Sequence, residues 1–330
     1  MFKKVAVLVL ALSVASLGLI GCGTTGSGTN QPASSYPEKE IRLIVPYKAG
    51  GQSDLTARKI ADIIQKKNLL GKPIVVVNVA GGNTQEGLKD VKDSKPDGYT
   101  LLLHHTAFLT MKALGQMSMS YQDFDMIGQA MEMPFVIVAR KDAPWSNVKD
   151  LLADAQKSPG KYSIGVAGFG GAGHFAELQF LKATNSLANF KLVPYGGGSE
   201  AVTSLLGKQV DLMVGNTVDT LRYVKSGDLK ALAVLSQDKN EDFPGVMTMK
   251  DLGISESLLL RNGLFAPKST PQAIKDKLVS ALKTTVESDE FKQFAKDQGA
   301  KASYLDAAAW SKTYQQDDQL VQQLAKSVKK

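Results

Sequence analysis

Short apolar runs alternate with amphipathic segments along most of the chain. The runs are rich in β-branched and aromatic residues, whereas the segments between them repeat apolar positions at helical spacing. Near-continuous apolar strands separated by helices are typical of parallel sheets that are covered on both faces. The pattern therefore predicts an α/β protein. The predicted strands are Leu43–Val45, Pro73–Asn78, Tyr99–His104, Phe135–Ala139, Tyr162–Val166, Phe190–Val193, Val210–Val214, Ala231–Leu235 and Leu259–Phe265.

Prolines next to these strands indicate where the chain passes between two lobes. Pro134 and Pro144 flank one strand, and Pro267 closes another. We expect two doubly wound lobes with a ligand cleft between them. No strand is predicted beyond Pro271, and 307–328 is predicted to be a final helix that packs on the first lobe. The predicted lobes are 37–139 plus 262–330, and 140–261.

The N-terminus predicts export. Two lysines precede the apolar run Val5–Ile20, which is shorter than the roughly 20 residues that span a bilayer, so 1–21 is interpreted as a signal peptide. Cys22 follows as in a bacterial lipobox, where it would be lipidated; the alternative is an ordinary cleaved signal with a chance cysteine. The Gly/Thr/Ser-rich stretch 22–36 is predicted to be a flexible tether. The predicted location is extracytoplasmic, on a lipid anchor.

Composition excludes several classes of protein. Cys22 is the only cysteine, so neither a disulfide framework nor a Cys-based metal site is expected. The formal charge of +7 includes two lysines of the signal peptide, and the remaining lysines are scattered. Because no arginine-rich stripe is interleaved with aromatic residues, nucleic acid is not an expected partner.

Five glycine-rich turns follow predicted strands. In an open α/β sheet, ligands bind beyond the carboxyl ends of the strands. A helix that begins after such a turn directs free backbone N–H groups and the positive end of its dipole into it. We therefore expect a cleft that is lined mainly by backbone and that receives an anion. The turns are at 50–51, 80–84, 165–174, 194–199 and 215–217.

Enzyme chemistry has little support in the sequence. Gly168–Gly173 matches the dinucleotide pattern G-x-G-x-x-G, but the next strand leads into Val193–Tyr195 without the carboxylate that would hold a ribose. Neither a P-loop nor a G-x-S-x-G motif occurs. His104 and His105 are expected to point to opposite faces of a strand, which makes joint metal ligation awkward. We predict no catalytic residue, no cofactor and no metal.

Several motifs, in order along the mature chain, resemble the Bug family, the substrate-binding receptors of tripartite tricarboxylate transporters. The resemblance departs at Ala49, where many members have proline, and at 246–250, where the usual Pro-Thr-x-x-Glu segment is missing. The motifs are 46–54 with Arg58, Asn78 with 81–83, 96–100, 168–174, 194–197 and 227–234.

The resemblance implies a receptor of the type II periplasmic-binding-protein arrangement that closes on a small carboxylate and passes it to two membrane subunits of a transporter. It also implies that backbone groups and waters hold the carboxylate. There are two alternatives: a receptor that serves a sensor protein, and a secreted enzyme on the same fold. Genes nearby for one large and one small membrane subunit would favour transport. The implied ligand residues are Tyr47, Gly50, Gly51, Ser53, Asp54, Gly168, Gly170, Gly171, Ala172 and His174. We add Thr84, Thr106, Tyr195, Asn216, Thr217 and Asp219, which we expect to face them.

Overall fold

The computed structural model describes residues 35–328. The predicted signal peptide, Cys22 and most of the predicted tether lie outside these residues. Tyr36, which sequence analysis assigned to the tether, is buried, and its hydroxyl donates to the carbonyl oxygen of Gly98 at 2.7 Å. The folded body therefore already includes Tyr36. In the described part of the chain, no helix has both the length and the apolar character needed to cross a membrane.

Strands and helices alternate as far as the ninth strand, except where β5 follows β4 directly. The strands are β1 Ile41–Val45, β2 Ile74–Asn78, β3 Thr100–His105, β4 Phe124–Met133, β5 Phe135–Arg140, β6 Tyr162–Ala167, β7 Phe190–Tyr195, β8 Leu212–Asn216, β9 Leu229–Leu235, β10 Met247–Thr248, β11 Leu260–Pro267 and β12 Lys301–Asp306. The helices are α1 Gln52–Lys66, α2 Gln85–Lys92, α3 Ala107–Ala113, α4 Val148–Lys157, α5 Ala172–Ala183, α6 Gly198–Leu206, α7 Thr217–Lys225, α8 Gln272–Val286, α9 Asp289–Asp297 and α10 Ala307–Val328.

The described residues form two six-stranded sheets, one in each lobe. The first sheet has the order β12-β4-β11-β3-β1-β2 and the second the order β10-β9-β5-β8-β6-β7. In the first sheet β1 is parallel to β2 and β3, whereas β11 is antiparallel to β3 and β4. In the second sheet β6 is parallel to β7 and β8, and β5 is antiparallel to β8 and β9. The predicted two-lobed α/β fold is confirmed.

The chain crosses between the sheets at Pro134 and again just before Leu260. The first boundary is predicted after residue 139, but β5 pairs with β8 and β9 and therefore belongs to the second sheet. The boundary predicted after residue 261 falls inside β11, a strand of the first sheet. The first difference arises because β4 was not predicted, so β5 was taken for the last strand before the crossing.

The prediction that no strand follows Pro271 is wrong, because β12 pairs antiparallel with β4. Strand β12 is an edge strand with partly exposed side chains, so its sequence lacks a clear apolar alternation. Strand β4 is continuous, but Gly128 and Gln129 interrupt the apolar pattern of its sequence. Both residues are nevertheless buried, because β11 and β12 pair with β4 on its two sides. Pairing within the sheet, rather than local propensity, determines these strands.

The final helix α10 has the predicted bounds and packs on the first lobe against α3 and β4. Trp310 is fully buried, and a Cβ atom at Gly263 of β11 would lie 2.2 Å from its ring. Only glycine therefore lets β11 approach this helix so closely. Helix α10 also contacts α5 of the second lobe. The hydrophobic core consequently runs through both lobes on this side.

Candidate functional site

The first glycine turn leaves the N-terminus of α1 uncapped. Gly50 has φ +80°, a left-handed conformation that suits glycine, and Gly51 is the N-cap residue in an extended conformation. No side chain caps this helix, although serine, threonine, aspartate or asparagine commonly does so. The first N–H groups of α1, which have no partner within the helix, are thus left available to an anion.

Asp54 shapes this turn from the inside. Its buried carboxylate accepts from the Gly50 N–H at 2.8 Å, from Asn78 Nδ2 at 3.0 Å and from Arg58 Nε at 3.0 Å. Burial opposes the charge, but the bonds from Arg58, Gly50 and Asn78 lower the pKa of Asp54 below its ordinary value. Asp54 therefore positions the turn, and Ser53 beside it is also buried. Asp54 was implied as a ligand residue, and its bonds support a role in orienting the glycine turn.

Three rings lie together at the ends of β1 and β3. His104 Nδ1 donates to the His105 carbonyl oxygen at 2.9 Å, so its Nε2 accepts from the Tyr47 hydroxyl at 3.3 Å. His105 Nδ1 accepts from the Ala107 N–H at 3.1 Å, which places the ring proton on Nε2. Burial lowers the pKa of His105 to about 4. His105 is thus a neutral N–H donor whose ring stacks on Tyr47, with centroids 4.9 Å apart.

The second glycine turn carries backbone strain. Gly82, Asn83 and Thr84 all have positive φ, with Thr84 at +74°. A β-branched residue is rare in this conformation, which costs of order 1–3 kcal/mol and persists where the surroundings impose it. The Thr84 hydroxyl is buried and has no hydrogen-bond partner within 35–328. Strain and an unpartnered hydroxyl both favour a ligand-contact role for Thr84.

The third glycine turn opens α5 in the second lobe much as the first opens α1. Gly168 and Gly170 have φ +73° and +82°, and Gly171 is an N-cap residue without a side-chain cap. The Gly170 N–H donates to His174 Nδ1 at 3.2 Å, so the His174 proton lies on Nε2. Burial lowers the pKa of His174 to about 4, which keeps this ring neutral as well. Ala172, at the first position of α5, is buried.

The two lobes approach each other at this third turn. A Cβ atom at Gly170 would lie 2.9 Å from Leu114 Cδ1 and 3.3 Å from Gln116 Nε2, both in the segment after α3. The Gln116 carbonyl oxygen in turn accepts from Gln85 Nε2, next to Thr84. The second and third glycine turns are therefore brought together across the junction of the lobes.

The remaining predicted residues of the second lobe have mixed placements. The ring of Tyr195 packs over Gly165 in the sheet. Asn216 caps α7 by accepting from the Asp219 N–H at 3.1 Å. Thr217 donates to the Gln298 carbonyl oxygen of the first lobe at 3.3 Å, so it joins the lobes. These bonds and contacts already engage all three side chains.

The side chain of Asp219, a residue of α7, reaches the N-terminus of α6. Gly197 is the N-cap residue of this helix without a side-chain cap, and a Cβ atom at Gly198 would lie 1.9 Å from the Asp219 carboxylate. Burial raises the pKa of Asp219 to about 6, although Arg222 and Asn216 counteract this. This acid therefore titrates near neutral pH at the same edge of the sheet as the third turn.

Thr106 does not have a free hydroxyl for a ligand. Its Oγ1 donates to the Leu259 carbonyl oxygen at 2.8 Å and accepts from the Arg261 N–H at 2.9 Å. These bonds attach the end of β3 to the segment that returns from the second lobe. Thr106 thus holds the connection between the lobes in place. This role replaces the ligand contact that we expected for it.

Two residues beside the turns were missed in the sequence. His105 was set aside as half of an awkward metal pair, and Phe169 was passed over inside its glycine turn. Phe169 is 53% exposed and stacks on His174, with ring centroids 4.4 Å apart. A large apolar residue between two glycines, outside any helical or strand periodicity, was the available signal. Within 35–328 no group of three or more His, Cys, Asp or Glu side chains is placed to hold a metal.

A separate cavity of about 670 Å³ lies beside the connections between the lobes. Glu132, Pro134, Leu259 and Arg261 line it together with 236–242 and parts of α9 and β12. The lining, as far as residues 35–328 show it, includes none of the predicted site residues. This cavity provides an alternative location against which the glycine turns can be tested.

The two-lobed fold with backbone-lined turns at the junction of the lobes defines a solute-binding protein. Residues 56–329 match the family described as tripartite tricarboxylate transporter family receptor, TctC, and the chain belongs to this family. It is 33% identical over 247 residues to Protein BugT of Bordetella pertussis, covering 73% of this chain and 74% of BugT. The predicted Bug-family resemblance is confirmed.

Solved structures agree with this assignment. A TctC solute-binding protein from Polaromonas is 30% identical, with a TM-score of 0.78 and coverage of 88% of this chain and 99% of that one. The periplasmic binding protein BugD is 33% identical, with a TM-score of 0.71 and coverage of 89% and 98%. MatC of Rhodopseudomonas palustris with bound malate is 24% identical, with a TM-score of 0.72 and coverage of 88% and 100%, and shows the shared fold alone. The members of this family, among them the Polaromonas protein and BugD, are solute-binding proteins, not enzymes, and support an extracytoplasmic location.

Proposed function

We propose that this protein captures a small carboxylate between its two lobes and delivers it to the membrane subunits of a tripartite tricarboxylate transporter. The observation that carries this proposal is the pair of uncapped helix N-termini, α1 from the first lobe and α5 from the second, each preceded by a glycine N-cap. Such termini favour anions through free N–H groups and the helix dipole. Malate bound to the more distant MatC fits this ligand class.

The proposed site lies at the backbone of Gly50 and Gly51 and of 168–172. The N–H groups of Gly50, Gly168, Gly170 and Gly171 already donate within the protein. The N–H groups offered to the ligand are therefore those of Gly51, Phe169 and Ala172, with the imidazole N–H groups of His105 and His174 on the two sides. Thr84 contributes its unpartnered hydroxyl. Bridging waters complete the contacts at little cost in affinity. Because the hydrogen bonds come from dipoles rather than from an arginine clamp, the ligand is held without a fixed counter-charge and is easily released to a transporter.

The proposal includes membrane attachment through a lipid on Cys22. The signal peptide at 1–21 and the tether that follows Cys22 come from the sequence, which supports export followed by anchoring on the outer side of a cell membrane. A tethered receptor stays close to the membrane subunits that it serves. Replacement of Cys22 by alanine, followed by cell fractionation, tests this part separately from ligand binding.

A binding carboxylate is expected to raise the melting temperature. A ligand that binds only the folded state stabilises it by about 2.7 kcal/mol at roughly 100 times its Kd. Thermal denaturation with succinate, malate, adipate, citrate and benzoate tests this, with the corresponding primary amides as uncharged controls. At least one acid should shift the transition while its amide does not. Equal shifts for acid and amide, or none with any acid, would exclude a carboxylate receptor.

Carboxylate affinity is expected to rise as the pH falls from 7.5 to 5.5. Asp219, with its pKa near 6, loses its charge over this range and no longer repels the ligand. His105 and His174 stay neutral because their pKa values are about 4, and a ligand carboxyl with a pKa of about 4 stays ionised. Calorimetry should show a several-fold change in Kd, which Asp219→Asn removes by fixing the tighter value at all pH.

The free energy of unfolding should also depend on the protonation of Asp219. The pKa of Asp219 is higher in the folded state than the ordinary value of 3.8, so the folded state binds the proton more strongly. The contribution of this group to stability therefore increases as the pH falls through about 6 and is lost above it. A Kd that does not vary with pH in the unaltered protein would separate Asp219 from the ligand site.

A further inference from the structure

We propose, resting on the proposed function, that the ligand is a monocarboxylate whose body is a flat apolar ring, and that Phe169 is the residue that selects it. The proposal rests on the neutral stacked rings at the two turns and on the small number of cations there. Both are features of the side chains around the carboxylate site rather than of the helix termini themselves.

The charges at the turns match one carboxylate and not three. Arg58 is already bonded to Asp54 and Asn78. Lys48, exposed in the first turn, has no ion-pair partner within residues 35–328. Each further carboxylate taken from water needs its own compensating group, because desolvation of an unpaired charge is costly. A tricarboxylate would have to share that one exposed lysine and the same helix termini.

The side chains at the turns offer flat apolar faces. Phe169 is the most exposed of the large hydrophobic side chains in the described part of the chain, at 53%, although it lies on the buried His174. Gly168 and Gly170, on either side of Phe169, have left-handed backbone conformations, so the phenylalanine side chain projects from the third turn. The same turn contacts Leu114 of the first lobe. An exposed phenylalanine fixed in this way is available to stack on a ring, at centroid separations of 4.5–7 Å.

The first lobe presents a second face of the same kind. Tyr47 stacks on His105 at an interplanar angle of 12°, and its hydroxyl already donates a hydrogen bond to His104 Nε2. What Tyr47 and His105 offer is therefore a flat surface and one N–H group, the His105 Nε2 proton. His174, 2% exposed, offers a matching Nε2 proton that has no hydrogen-bond partner within 35–328. A ring carboxylate can accept these N–H groups while its body lies against Tyr47 and Phe169.

Calorimetric titration of the purified protein with benzoate, cyclohexanecarboxylate, adipate and citrate tests the proposal. Cyclohexanecarboxylate has the same charge and a similar apolar size but is not flat. We expect benzoate to bind about tenfold more tightly than cyclohexanecarboxylate and more tightly still than adipate and citrate. Phe169→Ala should weaken benzoate about tenfold and change adipate less than twofold, since stacking is lost while the carboxylate contacts remain.

Leu206→Ala, which removes another exposed apolar side chain on α6, is the matched control and should change none of the four affinities. Phe169→Tyr should retain benzoate binding. Tightest binding of adipate or citrate, or unaltered benzoate binding in Phe169→Ala, would overturn this inference and leave the carboxylate receptor intact. Absence of binding by all four acids would overturn the inference and the proposed function together.

Discussion

Replacement of Gly170 by aspartate is expected to weaken carboxylate binding by about 100-fold or more, which corresponds to about 2.8 kcal/mol. The new carboxylate would lie at the uncapped N-terminus of α5 and would take the place of the ligand there. Its Cβ atom would also be 2.9 Å from Leu114, which opposes closure of the lobes. Calorimetry with the tightest-binding carboxylate measures the loss.

The matched control for this substitution is Gly160→Asp. Gly160, in the turn before β6, also has a positive φ, +73°. The nearest atom to a Cβ there would be Cε of the flexible Lys191 side chain, at 3.9 Å. Both substitutions should cost about 1–2 kcal/mol of stability from the left-handed backbone, and both proteins should remain folded. Only Gly170→Asp should lose the ligand. Unchanged affinity in folded Gly170→Asp would place the carboxylate elsewhere.

Replacement of Arg261 by methionine is expected to lower the free energy of unfolding by about 3 kcal/mol. Arg261 is largely buried and bonds Glu132 at 2.6 Å and Asp317 at 3.0 Å. Without it, the buried Asp317 and the partly buried Glu132 are left together, and Lys301, 3.8 Å from Glu132, compensates only in part. Urea denaturation at neutral pH measures the change.

Arg42→Met removes an arginine from an exposed pair with Asp90 and serves as the control. Surface pairs of this kind contribute about 0–1 kcal/mol, so its effect should be small. If the two substitutions cost the same, burial of the Arg261 ion pairs would not be what stabilises the segment that returns from the second lobe. Lowering the pH should reduce the difference, because burial raises the pKa of Asp317 and its carboxyl, left without Arg261, becomes protonated.

The sequence was most informative where local structure and packing agree. The turn after β1 could be predicted because an apolar strand, two glycines and an amphipathic helix follow one another within 26 residues. The long helix α10 could be predicted from its periodicity and its apolar face. The glycine-rich turns before α1, α5 and α6 could be predicted as well, because each follows an apolar strand and precedes an amphipathic segment.

Other features depend on partners that are distant in the chain. Strand β4 is formed by pairing with β11, more than 120 residues later, and its own sequence carries little alternation. Thr106 was expected to contact the ligand, but its hydroxyl bonds depend on where Leu259 and Arg261 return. The tautomers of His105 and His174 likewise depend on which backbone N–H group each ring meets. Sequence position alone contains none of this information.

The proposed carboxylate site can be tested with a crystal structure of the protein bound to its tightest-binding carboxylate. We predict that the carboxylate oxygens lie within hydrogen-bond distance of backbone N–H groups at the starts of α1 and α5, with His174 Nε2 beside them. A ligand bound instead in the cavity lined by Glu132, Arg261 and 236–242, with both helix N-termini free, would contradict it.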